Sequence, residues 1–317
     1  QAIVDEIESA GGDVEVDGDR VTYIDISDVD FPRDKLSLIG QLTTAESLYA
    51  YDANLEDADL DHFQPLTNLQ ELHIDSNNLT GATLDRISGM SKLHTLDLSR
   101  NTITSDSLSH LAPLSNLESL SLNDTGIDDL ANLAALKGLI YLQLDGVPID
   151  AAKAAQLETL EKLESLGLGN SQVDDAAMEH IGKLRNLTGL YLNNTPVTNV
   201  GVAHLKSLDK LDSLYLNNTQ VGDAGAQTIG QLTSLTDLEL DETMISDAGV
   251  GHLVNLKDLY YISLMHTNVT DAALEHLARM KKLESISLEG TQVTQAGIDK
   301  LQKALPNADI YADVGEP

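Results

Sequence analysis

Nine tyrosines, fifty-one carboxylates and nine histidines are the side chains of this 317-residue sequence best equipped to grip a ligand or move a proton. Cysteine and tryptophan are absent, which removes disulfides, thiolate metal sites and any cysteine nucleophile. A tyrosine offers a broad apolar ring with a polar tip. Carboxylates attract cations, so the two together suit a surface that holds a positively charged or hydroxyl-rich molecule. Two identical stretches, Tyr191-Leu192-Asn193-Asn194 and Tyr215-Leu216-Asn217-Asn218, add amide donors and acceptors beside the rings. No nucleophile elbow or phosphate-cradling glycine loop occurs, and no EF-hand spacing gathers the acids into a calcium loop. The expectation is a protein that is not an enzyme, with no catalytic residue, no metal site and no cofactor.

Charge narrows the partners. Nineteen Lys and Arg stand against fifty-one Asp and Glu, a formal net charge of -32. Such a field repels phosphate backbones and anionic bilayers, so neither nucleic acid nor membrane insertion is expected. No apolar run approaches the ~18–20 residues of a membrane span. The first ten residues, QAIVDEIESA, lack the basic start and apolar stretch of a signal peptide, and the chain does not begin with Met. High acidity without cysteine points to a secreted or cell-surface bacterial protein, with the cytoplasm left open, and to a monomer.

The elements that carry these residues repeat. Units of twenty-four residues begin at Leu93, Leu139, Leu163, Leu187, Leu211, Leu235, Leu259 and Leu283, and backwards at Leu69, Ala45 and Val21; the unit from Leu117 is two residues shorter. Each unit is apolar at places 1, 4, 6, 11, 16, 19 and 22. Places 4 and 6 alternate as in a strand, and 16, 19 and 22 recur at helical spacing. Between them stand helix starts such as Thr270-Asp271-Ala272, Ser246-Asp247-Ala248 and Thr104-Ser105-Asp106, a capping hydroxyl followed by an acid at the positive helix end. A single strand-turn-helix unit cannot bury its own apolar side, so the units must stack. Ala-Gly at places 14 and 15 (Ala224-Gly225, Ala248-Gly249, Ala296-Gly297) is read as letting the helix start approach the strand layer.

Residues 69–79, LQELHIDSNNL, and 93–103, LHTLDLSRNTI, fit L-x-x-L-x-L-x-x-N-x-L, and on these stretches the chain resembles the leucine-rich repeat superfamily. Further along, threonine replaces the asparagine at Thr125, Thr195, Thr219, Thr243, Thr267 and Thr291, and the phrase becomes T-x-V-x-D-A-G, as in 219–225. This is similar to a bacterial subtype with α-helical outer sides. The resemblance implies an α/β class, a right-handed leucine-rich repeat solenoid (horseshoe) with a concave parallel β-sheet and convex α-helices. Domain organisation follows: residues 1–20 form an N-terminal capping helix and hairpin, 21–306 twelve repeats, and 307–317 a C-terminal cap strand and tail, with 313–317 frayed. Catalytic branches of the superfamily that use a cysteine have no counterpart here. Arg100 alone matches the arginine of GTPase-activating relatives, and Asp97 is its expected partner.

Laid on the repeat, the chemistry gathers on one face. All nine tyrosines fall at places 2, 3, 5 or 7, which line the concave sheet. Tyr49 and Tyr51 form one group, Tyr191 and Tyr215 with Asn193 and Asn217 a second, and Tyr261 stands further on. Over places 2, 3, 5, 7 and 8, Asp237, Glu239, Asp241 and Glu242 make the densest acidic patch, and Arg100 is the only arginine or lysine. The ligand-binding residues expected are Tyr49, Tyr51, Tyr191, Asn193, Tyr215, Asn217, Asp237, Glu239, Asp241 and Tyr261. Asparagines at place 8 (Asn194, Asn218) are expected to bond turn backbone, leaving those at place 7 free. The partner is a protein or peptide of basic character, with a carbohydrate or cell-wall polymer as the alternative occupant and a structural spacer as the third role. Six histidines, His62, His110, His180, His204, His252 and His276, share place 18 on the helix flank and are read as part of the coil rather than as ligands.

Overall fold

A computed structural model of the chain describes residues 1–313, so 314–317, most of the expected frayed tail, lie outside the described residues. The chain forms two compact units that divide at Val147/Pro148. The first opens with helix α1 (Ala2–Ser9), whose Ile7 is fully buried. Strands β1 (Asp13–Asp17) and β2 (Arg20–Asp25) follow as an antiparallel hairpin. Its two-residue turn places Gly18 at φ +62°. Five short strands then add in parallel and in chain order: β3 (Ser47–Tyr49), β4 (Glu71–His73), β5 (Thr95–Asp97), β6 (Ser119–Ser121) and β7 (Tyr141–Gln143). The second unit repeats the arrangement with β8 (Ser165–Gly167), β9 (Gly189–Tyr191), β10 (Ser213–Tyr215), β11 (Asp237–Glu239), β12 (Tyr261–Ser263), β13 (Ser285–Ser287) and β14 (Asp309–Tyr311), again parallel and in order.

The apolar places are the core. In the coil from Leu211, Leu211, Leu214, Leu216, Val221, Ala226 and Ile229 are all fully buried. Every three-residue strand after β2 in the first unit buries its middle residue and turns its outer two to the opposite side of the sheet. That opposite side is the open face, and it carries places 3 and 5. Equal register from coil to coil places like residues side by side, as in Ser213 beside Asp237 beside Tyr261.

The return arms differ between the units. In the second, α-helices run over Ala151–Leu157, Asp175–Ile181, Asp223–Ile229, Asp247–His252, Asp271–Leu277 and Gln295–Ala304. Ser246 and Thr270 cap theirs by accepting the amides of Ala248 and Ala272, as the sequence suggests. In the first unit, Asp57–His62, Ser105–Leu111 and Ala131–Ala135 are 3-10 turns, and Thr104 makes no side-chain cap bond. In those three coils tighter turns thus stand where convex α-helices are expected, while Leu36–Ile39 and Ala82–Ile87 of the same unit are α-helical. Ser105-Asp106-Ser107 compete for backbone bonds and are poor helix formers, whereas Asp271-Ala272-Ala273 is a good start. The 22-residue coil also has fewer residues to span the same width, which a 3-10 rise of ~2.0 Å per residue accommodates.

Candidate functional site

Much of each coil's polar equipment is occupied in joining one coil to the next, which decides what is left for a ligand. All twelve residues at place 8 have positive φ, between 46° and 76°. Asn, Asp and Gly tolerate this conformation best, and they fill eight of the twelve places, with Ser76, Arg100, Glu242 and His266 the exceptions. At place 7 side-chain oxygens accept the backbone N–H of the following coil. Asn193 takes Asn217 N at 3.0 Å, Asn217 takes Asp241 N at 2.8 Å and Asp241 takes Met265 N at 2.7 Å. The place 8 asparagines instead bond each other, Asn218 Nδ2 donating to Asn194 Oδ1 at 2.9 Å. The two rows therefore exchange the roles expected of them: place 7 holds backbone, and place 8 forms the side-chain ladder.

Place 9 carries two bonding patterns, asparagine at Asn77 and Asn101 and mostly threonine from Thr125 on. Asn101, 5% exposed, accepts the amides of Asn77 and Leu79 and donates to Ile74 O, Leu98 O and Ser99 O. The threonines that replace asparagine make one local bond, as Thr219 Oγ1 does to Leu216 O at 2.7 Å. On the return arm, the Asp of D-A-G crosses to the next coil. Asp223 accepts Ser246 N at 2.8 Å and Ser246 Oγ at 2.6 Å. A Cβ on Gly249 would lie 2.4 Å from Asp223 Oδ1. The glycine of the motif thus makes room for the preceding coil's carboxylate, rather than for close approach to the strand layer as the sequence suggested.

The open face is what remains. In the first unit three of its four tyrosines, Tyr23, Tyr49 and Tyr51, are tied to acids. Tyr23 donates to Asp25 at 3.0 Å and Tyr49 to Glu71 at 3.1 Å, and Tyr49 stacks on His73 with centroids 4.3 Å apart. Tyr51 bonds Asp28, and that acid raises its pKa. Burial comes first in raising Tyr49, with the Glu71 bond next. In the second unit Tyr191 and Tyr215 meet edge to face at 4.9 Å, and Tyr191 lies across Gly189, where a Cβ would sit 3.0 Å from its hydroxyl. Burial, then Glu239 and Asp237, push Tyr215 up to about 12. Glu239 is also held above its ordinary value, by burial first, with Asp241 and Asp237 adding to it against an opposing bond from Asn217 Nδ2.

The ten expected site residues fall accordingly. Tyr215, Asp237, Glu239 and Tyr261 come together on β10–β12, with Tyr191 beside Tyr215. Tyr49 lies on the open face of the first unit with Tyr51 just past its strand. Asn193, Asn217 and Asp241 lie at the strand ends with one oxygen each already committed to backbone. His73, stacked on Tyr49, joins the first group; its place 5 position was the signal for it. Arg100 does not pair with Asp97: its Nε lies 3.9 Å from Asp124 Oδ2, while Asp97 accepts Ser99 N. On the helix side His180 Nδ1 meets Glu158 at 2.5 Å and His110 Nδ1 meets Asp85 at 3.4 Å. Among the described residues no group of three His, Asp or Glu is placed to hold a metal ion, and no helix is long and apolar enough to cross a membrane.

Comparison with known proteins agrees with this architecture. No curated protein matches the sequence. Among solved structures, an internalin (inlF) from Listeria monocytogenes aligns with TM-score 0.57 at 21% identity, covering 92% of this chain and 91% of that one. A leucine-rich repeat protein from Leptospira interrogans aligns with TM-score 0.57 at 18% identity, covering 86% and 80%. At these identities the likeness concerns the fold, an α/β leucine-rich repeat solenoid. Residues 67–127 match a leucine rich repeat and residues 148–308, just over half of the chain, match the leucine-rich repeat region. With its leucine ladder and strand register reproduced coil after coil, the chain belongs to the leucine-rich repeat family.

Proposed function

We propose that the chain is a non-catalytic binding module that takes up a basic protein or peptide on the open face of its sheet. Proteins of the leucine-rich repeat family generally act as protein-binding modules. The observation that carries the assignment is the make-up of places 3 and 5: tyrosines, carboxylates and small polar residues, with no lysine or arginine in β2–β14 at those places. A face of one sign steers an oppositely charged partner and rejects others. Tyrosine adds contact area at low entropic cost. A secreted or cell-surface location fits the net charge of -32.

The test uses Tyr191→Ala combined with Tyr215→Ala, screened beside the unaltered protein on an array of peptides of graded charge and on a glycan array. Binders enriched in Lys and Arg, weakened by salt and lost in the double variant, are the expected result. Removing the ring pair costs only ~0.5–1.5 kcal/mol of its own contact energy, so the variant stays folded. Sugar binding that ignores ionic strength, with no basic peptide retained, would overturn the proposal in favour of carbohydrate.

A further inference from the structure

On the reading that the open face takes a basic partner, we infer that the second unit holds an anchor for one arginine side chain, centred on β11 between Tyr215 and Tyr261. Tyr260 at place 2 bonds Glu284, but the rings around β11 differ from those near the start of the sheet in what they already hold. Tyr23, Tyr49 and Tyr51 are bonded to Asp25, Glu71 and Asp28. Among the described residues the hydroxyls of Tyr191, Tyr215 and Tyr261 have no protein partner, and neither Asp237 nor Glu239 forms an ion pair. Asp237 accepts only the Thr236 hydroxyl and Glu239 only the Asn217 amide.

Register then sets the geometry. Asp237 has Ser213 on one side and Tyr261 on the other; Glu239 has Tyr215 on one side and Ser263 on the other. Neighbouring parallel strands lie ~4.8 Å apart, so two rings stand at opposite corners of a patch with two carboxylates along its middle. The remaining corners, Ser213 and Ser263, are short, and Ser263 is fully buried and bonded to Asp241. A planar cation laid along β11 therefore meets a ring on each side and a carboxylate beneath each edge. Guanidinium matches this better than ammonium, because it stacks on aromatic faces and pairs with carboxylates through paired N–H groups. The partly buried Glu239, crowded by like charges, also gains from a cation placed beside it.

The probe is the peptide acetyl-Gly-Ser-Arg-Ser-Gly-amide, titrated into the full chain labelled with 13C in its tyrosine rings and followed by NMR. Versions with citrulline, which keeps the shape without the charge, and with lysine run in parallel. The arginine peptide is expected to shift Tyr215 and Tyr261 saturably, the lysine peptide to bind several-fold more weakly and the citrulline peptide not to bind. Hydrogen bonds to charged groups are worth ~1.5–3 kcal/mol, so Glu239→Gln and Asp237→Asn, each close to isosteric, should weaken binding about tenfold or more. Glu275→Gln, on the return-arm helix Asp271–Leu277, should leave it unchanged. Equal binding of the citrulline or lysine peptide would overturn the arginine assignment. Shifts confined to Tyr23 and Tyr49 would sink the anchor and leave the basic-partner proposal standing. Failure of hexa-arginine to shift any tyrosine would sink both.

Discussion

Gly201 should reverse the usual effect of a helical glycine, and one carboxylate is the cause. Asp175 Oδ1 accepts Thr198 N at 2.9 Å and Gly201 N at 2.8 Å, while Oδ2 accepts the Thr198 hydroxyl at 2.6 Å. A Cβ on Gly201 would fall 2.5 Å from that Oδ1. Gly→Ala inside a helix ordinarily stabilises by ~0.5–1 kcal/mol. Here the methyl displaces an acceptor held by three donors, and a hydrogen bond to a charged group is worth ~1.5–3 kcal/mol. The difference leaves Gly201→Ala less stable by ~1–2 kcal/mol. Ala273 occupies the same place three coils on, with its N–H to Asp247 Oδ1 stretched to 3.2 Å, so alanine is tolerated there at the cost of a weaker bond. With Asp175→Ala already in place, Gly201→Ala should instead stabilise by the ordinary ~0.5–1 kcal/mol. Urea unfolding of the four proteins, followed by circular dichroism with the slopes compared, measures the cycle. Hydrogen exchange at the Thr198 amide locates the loss in one coil, which matters because repeat arrays depart from all-or-none unfolding. Stabilisation by Gly201→Ala in both backgrounds would refute the crossing-carboxylate account.

Asn101→Ala should cost ~2–4 kcal/mol, since it strands the Asn77 and Leu79 amides and Leu98 O and takes one of two donors from Ile74 O and Ser99 O, and each orphaned group is expensive; thermal melting reads this directly. Glu242→Asn should raise the melting midpoint by relieving a positive φ of 53° and extending the Asn194–Asn218 ladder, a gain of ~0.5–1 kcal/mol. Glu239 has a folded-state pKa above its unfolded value, from burial first, so its ionisation opposes folding at neutral pH and its protonation favours it. Glu239→Gln should therefore be the more stable protein at pH 7, with the gap closing below the ordinary carboxylate range of ~4.3. Asp57 behaves oppositely: burial works against its charge, but the bonds from Thr80 and Thr83 win and hold its pKa down. Its contribution is present above the ordinary ~3.9 and is lost as pH falls through the depressed folded value, so the stability deficit of Asp57→Asn should shrink in acid.

The fold was legible because apolar spacing is a property of composition along the chain. Leu211, Leu214 and Leu216 point inward for reasons any single coil states, and every coil states them again. The return arms were legible only in part. The same apolar places serve a 3-10 turn at Ser105–Leu111 and an α-helix at Asp271–Leu277, and local propensity at a few polar positions chooses between them. Polar roles were least legible, because they are settled between coils rather than within one. Nothing in the Asn193-Asn194 pair says which amide will meet the next coil's backbone; the positive φ at Asn194 turns that side chain outward into the ladder and leaves Asn193 to the backbone of the next coil. The crossing of Asp175 to Gly201 is equally invisible until two coils are superposed in register.

That division bears on where function resides. At place 7 Asn193, Asn217 and Asp241 hold the next coil's backbone, at place 8 the turn holds a positive φ, at place 9 Asn101 or Thr219 satisfies carbonyls, and at place 13 Asp175 and Asp223 cross over. A substitution at any of these changes stability before it changes recognition, because it leaves buried partners unpaired. Places 3 and 5 escape this constraint: their backbone is satisfied by the parallel ladder whatever the side chain. Gly189, Ser213, Asp237 and Tyr261 can therefore stand at one place on successive strands without disturbing the coil. Side chains free to vary without structural penalty can be set by a ligand alone. In the second unit they include phenols without a protein partner around two carboxylates that hold one hydrogen bond each and no ion pair, and the proposed arginine anchor rests on that arrangement.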